Sequence, residues 1–369
     1  MSLAVPAQIR LEPRPFSSFA GFADDDALAA FRCFTVSAHA IAEGRAEGRT
    51  ACAPSVALAC AARAALAATV EEPAEARAFF QRWFRPFRVN PETGEGFLTG
   101  YYEPVIAGSR AETPAFPWPL LRRPGDLVAF PPGAAPAGFP EGVSGARRLP
   151  DGALVPYDDR ETIERRRSDP IIWVRDSVEA FLVQVQGSAL VVFPDGARAR
   201  LAYDGRNGLP YASIGRILIE TGAIPEPAMS LASLKAWLRA AGAGEGEAGL
   251  ALMRRNRSFV FFQLVTAFDF ALGPVAGAGV PLTPLGSIAV DRTVWSYGLP
   301  FWIEAELPWE GDAPTPFRRL MIAQDTGTAI VGPARADIFF GSGDVAGARA
   351  GAIRHRGAFT VLMPIGGEP

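Results

Sequence analysis

Apolar residues recur at helical spacing near the start of the chain and at strand spacing near its end. Leu28, Phe31, Phe34, Ala38 and Ile41 fall on one helical face behind Asp26, whose carboxylate is suited to cap the first turn. Ser55 to Val70 is alanine-rich and reads as a second helix. Pro73 to Arg85 reads as a third, opening on proline and stopping before Pro86. Phe79, Phe80, Trp83 and Phe84 on it are expected in the core, so the first ninety or so residues are read as helical. From Ala115 to Pro156, runs such as Phe130-Pro131-Pro132-Gly133 predict loops and short edge strands, with a domain transition near the beginning of that stretch. Arg160 to Arg167 is read as a solvated helix face. Ala189 to Phe193, Pro194-Asp195-Gly196 and Ala197 to Tyr203 spell a hairpin. Helices at Ser213 to Thr221 and Ser230 to Ala241 are closed by Gly222 and Gly242.

Beyond Ser258 the period changes to that of strands: Phe259 to Val265, Gly286 to Val290, Phe301 to Leu307, Arg319 to Asp325, Asp337 to Gly341 and Ala358 to Met363. Phe301, Ile303, Ala305 and Leu307 alternate with Trp302, Glu304 and Glu306, the signature of a half-buried strand with Trp302 on its outer side. About six strands in about 110 residues predict a small closed barrel.

Composition narrows the function classes. With 369 residues, 49% hydrophobic and 20% charged, the chain has material for two or three ordinary globular domains. A net charge of -3 gives no overall basic field and argues against a nucleic-acid partner. Lys235 is the sole lysine among 36 basic residues, which points to GC-rich coding sequence. Cys33, Cys52 and Cys60 lack Cys-x-x-Cys spacing and His39 and His355 lie far apart, so neither a metal site nor a cofactor is expected. His39 is read as a surface or hydrogen-bonded core histidine. Asp24-Asp25-Asp26 lacks the alternating ligands of a calcium loop and is read as a solvated helix start. No run approaches the ~20 apolar residues of a membrane span. Met1 to Val5 does not begin a charged-then-apolar export signal, and no lipobox is visible.

Candidate chemistry gathers in four segments: Thr99-Gly100-Tyr101-Tyr102-Glu103-Pro104, Val183 to Ser188, Tyr203 to Gly208, and Asp325 to Gly341. Each joins aromatic rings, which cover the apolar faces of sugars, to amides or hydroxyls, which bond their substituents. Only twelve residues separate Asp325 from Asp337, and glycines between and after them permit tight turns, so both could reach one rim of the barrel. Rim carboxylates beside Ile338, Phe339 and Phe340 suit acid/base chemistry. Asp325-Thr326-Gly327 also spells the aspartic-peptidase signature. Such an enzyme needs a second aspartate copy or a dimer, and no second Asp-Thr/Ser-Gly occurs.

Taken jointly, Phe97 to Pro104, Val185-Gln186-Gly187-Ser188, Tyr211 to Gly215, Asn256 to Phe262, Ala289-Val290-Asp291-Arg292 and the acidic region resemble the membrane-bound lytic transglycosylase A (MltA) family. The acidic segment resembles its "3D" domain, named for aspartates that match Asp291, Asp325 and Asp337. The resemblance implies a mainly β fold with N-terminal helices: a double-psi β-barrel domain, residues 1–106 plus 265–369, interrupted by a β-rich, barrel-like domain at 107–264, with a glycan groove between them. It implies cleavage of the β-1,4 bond between N-acetylmuramic acid and N-acetylglucosamine, with Asp337 as the acid, Asp325 as the second barrel aspartate and Thr99 beside the acid. Tyr101, Tyr102, Gln186, Gly187, Ser188, Tyr203 and Asn207 would contact glycan. The implied partners are peptidoglycan strands and cell-wall synthesis proteins, in the periplasm or envelope of a Gram-negative bacterium. A hydrolase using Asp337 with Asp325, and a non-catalytic glycan-binding module, remain alternatives.

Overall fold

Local capping explains the helices that open the chain. In the computed structural model, which describes residues 9–45, 51–91, 95–130 and 134–366, β1 (Ile9–Pro13) is followed by α1 (Ala27–Glu43), α2 (Val56–Ala67) and α3 (Pro73–Trp83). Asp26 accepts the amide of Ala29 at 3.0 Å and Ser55 that of Leu58 at 3.1 Å, each satisfying a first-turn donor. Glu72 and Glu75 form a reciprocal capping box around Pro73. α3 stops because the chain extends at once into β2 (Phe84–Pro91), which pairs with β1. The wholly helical reading of this region is thereby corrected. Phe31, Phe34, Phe79, Phe80 and Phe84 form an edge-to-face cluster, with ring centres 5.0 Å apart for Phe31 and Phe79 and 5.7 Å for Phe34 and Phe84.

Strand β3 (Gly96–Glu103) leads into a second unit spanning Glu103–Phe270, joined by Ser342–Asp344. Its elements run β4 (Val105–Ala107), β5 (Trp118–Leu121), β6 (Leu127–Ala129), β7 (Gly145–Arg148), β8 (Leu154–Pro156), α4 (Arg160–Arg166), β9 (Pro170–Val174), α5 (Ser177–Gln186), β10 (Ser188–Val192), β11 (Arg198–Arg206), α6 (Ile214–Glu220), α7 (Leu231–Ala240), α8 (Ala248–Arg255) and β12 (Val260–Val265). The hairpin β10/β11 has Val192 opposite Arg198, and the sheet order is β12-β11-β10-β4. One core packs Val183 of α5 with Val191, Leu201 and Phe262 of that sheet, and a second joins α5 to α6, α7 and α8 through Val178, Leu218, Leu238 and Leu250. Arg160 departs from the solvated-face reading. Only 2% exposed, it donates to the carbonyls of Asn256 and Ser258 and lies over Phe181 and Phe259. Residues 131–133 of the Phe130-Pro131-Pro132-Gly133 loop reading, and the Met1 to Val5 start, lie outside the described residues.

The first unit comprises Met1–Tyr102, Ala271–Gly341 and Val345–Pro369. It is completed by β13 (Ser287–Val290), β14 (Pro300–Leu307), β15 (Thr315–Asp325), β16 (Arg335–Ser342), α9 (Asp344–Ala352) and β17 (Arg354–Pro364). The hydrogen-bonded order β17-β14-β15-β13-β16-β3 returns to β17 through β3, closing a six-stranded barrel, while β2 and β1 extend the sheet from β17. Closure leaves the ring itself no open edge. The molecule is thus mainly β with N-terminal helices and a closed barrel. Trp302 was expected on the outer side of its strand. It is instead fully buried, because Phe19 stacks on it at 5.4 Å and Phe22 meets it edge-on at 5.5 Å.

Candidate active site

Register brings Asp325 and Asp337 together, and a one-residue irregularity decides their facing. On the antiparallel side of β13, Ala289 pairs with Asp337 of β16. On the parallel side, Ile288 pairs with Ala323 of β15 but Ala289 pairs with Asp325, skipping Gln324. A regular ladder would set Gln324 opposite Ala289 and turn Asp325 to the other face. The bulge therefore places both carboxylates on one face, two strand spacings or roughly 10 Å apart at the backbone. Gln324 is re-aimed instead at α1, donating to the carbonyl of Cys33 at 3.0 Å and to Ser37 Oγ at 2.8 Å and accepting from Ser287 Oγ at 2.5 Å.

Each carboxylate has its own setting. Asp325 is 9% exposed and accepts the amide of Gly277 at 2.9 Å. A Cβ on Gly277 would lie 2.6 Å from Tyr297 Oη and 3.2 Å from Asp325 Oδ1, so only glycine permits this approach. The Asp337 carboxyl is raised above its ordinary value, chiefly by burial. The negative charge of Asp325 acts in the same direction and Arg335 opposes both. Arg335 is the residue that sequence reasoning missed. Its Nη1 lies 2.9 Å from Asp337 Oδ1, its Nη2 donates to Thr99 Oγ1 at 2.7 Å, and its guanidinium sits over Phe97. The signal was present, since Arg335 and Asp337 are two apart on a strand and so share a face. Asp291, the third aspartate of the pattern, shapes the adjoining turn by accepting the amides of Thr293 at 2.9 Å and Gly332 at 2.7 Å.

The remaining candidates divide between the two units. In the first, Tyr101 contacts Phe339 at 5.3 Å, while Tyr102 is 5% exposed with its ring against Gly347, a packing position. In the second, Gln186, Gly187 and Ser188 are half-buried where α5 ends, with Gly187 in the left-handed conformation of a helix cap at φ 84°. Tyr203 is half-buried on β11 beside an irregularity opposite Phe262 and Phe261. Asn207 is corrected to a structural role. It is fully buried, its Nδ2 donates to the carbonyls of Asp158 and Arg257 at 2.9 Å, and its Oδ1 accepts from Leu209 and Phe259, which leaves nothing for a ligand. Among the described residues no cluster of three His, Cys, Asp or Glu side chains could hold a metal ion, and no helix is long and apolar enough to cross a membrane.

Fold and site define a class: a closed β-barrel with two aspartates on one face, its sequence interrupted by a second unit. The sequence model of the MltA specific insert domain matches residues 97–263, and that of the 3D domain matches residues 286–363. A crystal structure of membrane-bound lytic murein transglycosylase from Agrobacterium tumefaciens is 34% identical with a TM-score of 0.85, covering 96% of this chain and 97% of that one. MltA from Neisseria gonorrhoeae, in a monoclinic form, is 25% identical with a TM-score of 0.77, covering 100% and 96%. Membrane-bound lytic murein transglycosylase A of Vibrio cholerae is 32% identical over 272 residues, 72% of this chain and 64% of the relative. The chain belongs to the membrane-bound lytic murein transglycosylase A family. It spans somewhat less than two thirds of the length of the curated relatives it matches, at 64% and 65% for the first two.

Proposed function

We propose that this protein is a peptidoglycan lytic transglycosylase in which Asp337 acts first as acid and then as base. The observation that carries the reading is the setting of Asp337: a barrel aspartate whose burial favours the protonated form, with a second aspartate on the same face. Protonating the oxygen between N-acetylmuramic acid and N-acetylglucosamine lets the C1–O bond break. The new Asp337 carboxylate then takes the proton of the muramoyl C6 hydroxyl as that oxygen bonds to C1. The proton removed restores the acid, the product is a 1,6-anhydro sugar, and no water or cofactor is consumed. Because the nucleophile is tethered to the reacting ring, one essential acid suffices. Asp325, already engaged by the amide of Gly277, supports the site by charge and does not attack. Thr99 lies beside the acid through Arg335, and Tyr101, Gln186, Gly187, Ser188 and Tyr203 are the proposed glycan contacts. The family's relatives are named membrane-bound, so the cell envelope is the proposed location and peptidoglycan strands the proposed partner.

Mass spectrometry of soluble products from purified peptidoglycan tests the proposal. Muropeptides ending in 1,6-anhydromuramic acid are expected from the native protein. They should fall by about 10²–10⁴-fold with Asp337→Asn, the usual contribution of a general acid. Reducing-end products would mean hydrolysis, cut peptides would mean a peptidase, and the absence of products would leave a binding module.

A further inference from the structure

The sequence reading places three residues at the acid, but the geometry contains a fourth. We infer that Arg335 is a positioning residue that locks Asp337 and Thr99 into one arrangement and sets the pH at which Asp337 exchanges its proton. The inference rests on the reading of Asp337 as the acid. Arg335 has a planar fork, and the fork is divided: Nη1 faces Asp337 Oδ1 at 2.9 Å while Nη2 donates to Thr99 Oγ1 at 2.7 Å. Nη1 also donates to the carbonyl of Ala336 at 2.5 Å and Phe97 lies under the guanidinium, so the fork has little freedom to turn. The arginine side chain is 16% exposed and the aspartate's 20%, which limits screening of the pair by water. Three neighbouring strands meet here. β16 supplies Arg335 and Asp337, β3 supplies Thr99, and β13 supplies the uncharged Ala289. The other charge acting on Asp337 is Asp325, from β15.

The two charges oppose one another, and the acid needs both. Burial and Asp325 keep the proton on Asp337 before the bond breaks. An acid held only by those two influences would be too weak to give the proton up. Arg335 stabilises the carboxylate that forms on donation and holds it until the C6 hydroxyl returns a proton. Its bond to Thr99 fixes the threonine hydroxyl relative to the same carboxylate, and a lysine, whose donors all leave one nitrogen, cannot reproduce the spacing of the planar fork.

The test is a titration of Asp337 in the full chain, followed by ¹³C NMR of labelled aspartate carboxyls and assigned with Asp337→Asn. Arg335→Met should raise its midpoint by about one to three pH units, the usual influence of an adjacent opposite charge. The alkaline limb of kcat/KM for peptidoglycan should move with it. Arg335→Lys should keep the midpoint near that of the native protein yet lower kcat about tenfold, with Thr99→Val losing kcat similarly and leaving the midpoint in place. If Arg335→Met folds poorly, Arg335→Lys decides the matter: full activity, or a midpoint raised well above the native one, overturns the inference. An unmoved midpoint in a folded Arg335→Met overturns it as well. Should the native protein release no anhydro product, the functional proposal fails, while the NMR titration still answers for Arg335.

Discussion

At the scale of single residues, Asp337 carries a cost to the fold. Asp337 has its proton affinity raised by burial, so the stability linked to this group is fully present below the ordinary carboxylate range and is lost as pH rises through its elevated value. At neutral pH the native protein bears that loss and an asparagine does not. Asp337→Asn is therefore expected to melt higher than the native protein at pH 7, with the difference shrinking toward pH 3–4. Thermal melts of both proteins across that range check it, and equal melting points at pH 7 would sink the idea. A residue kept at the expense of stability fits a site shaped for chemistry. Asp325, Asp337 and Thr99 could be proposed from the sequence because they lie in motifs. Arg335 could not, because its meaning depends on Thr99, a residue 236 positions away. Asn207 misled for the opposite reason, as an amide in a polar, glycine-rich turn looks alike whether it serves a ligand or four backbone groups.

Elements show the same division between local and distant causes. The helices around Leu28 and Ser55, the β10/β11 hairpin and the strands from Phe259 onward were legible because caps, turns and period-two alternation are local. β1 and β2 were not, since Pro13, Pro86 and Pro91 mask short strands whose partners lie elsewhere in the chain. Nor was the bulge at Gln324, which exists only in relation to β13. Asp25 belongs to this group. Read as part of a solvated acidic run, it is instead buried against β15, where it accepts the amide of Leu320 at 3.1 Å, 4.0 Å from Arg319. Burial pushes its carboxyl up from 3.8 to about 6, against the bond from the Leu320 amide and the charge of Arg319. A raised value means that stability present near pH 4 is lost as pH rises toward 6, by up to ~3 kcal/mol for a difference of this size. Asp25→Asn keeps an acceptor for Leu320 and removes the titration. It should therefore gain stability relative to the native protein between pH 4 and 7, and denaturant midpoints that run parallel over this range would show that Asp25 is not the cause.

For the whole molecule, the two units differ in how the chain builds them. The barrel draws on three separate stretches, and its ring is closed by pairing Thr99 with Arg354, 255 positions apart. Such a closure cannot form until distant segments meet, which makes it slow and dependent on the full chain. The second unit is nearly continuous. Three apolar clusters in it draw on residues between Ile106 and Leu264, and Glu103, fully buried, is neutralised within it by Arg200 at 2.7 Å. The short Ser342–Asp344 stretch adds the bond from Ser342 Oγ to Glu103 at 2.7 Å and one from the amide of Gly343 to the carbonyl of Glu103 at 2.9 Å. Residues 103–270 expressed alone should consequently fold, losing those two bonds at roughly 1 kcal/mol each. They should melt in one cooperative transition, refold faster than the intact chain and have no lytic activity. In the intact chain, Arg200→Met would leave the Glu103 carboxylate buried without that partner and should cost about 3–5 kcal/mol, with Glu103→Gln in the same background restoring part of it. A fragment with no cooperative transition would mean that the barrel is needed to fold the second unit. An intact chain indifferent to Arg200→Met would mean that the buried pair contributes nothing to holding the second unit.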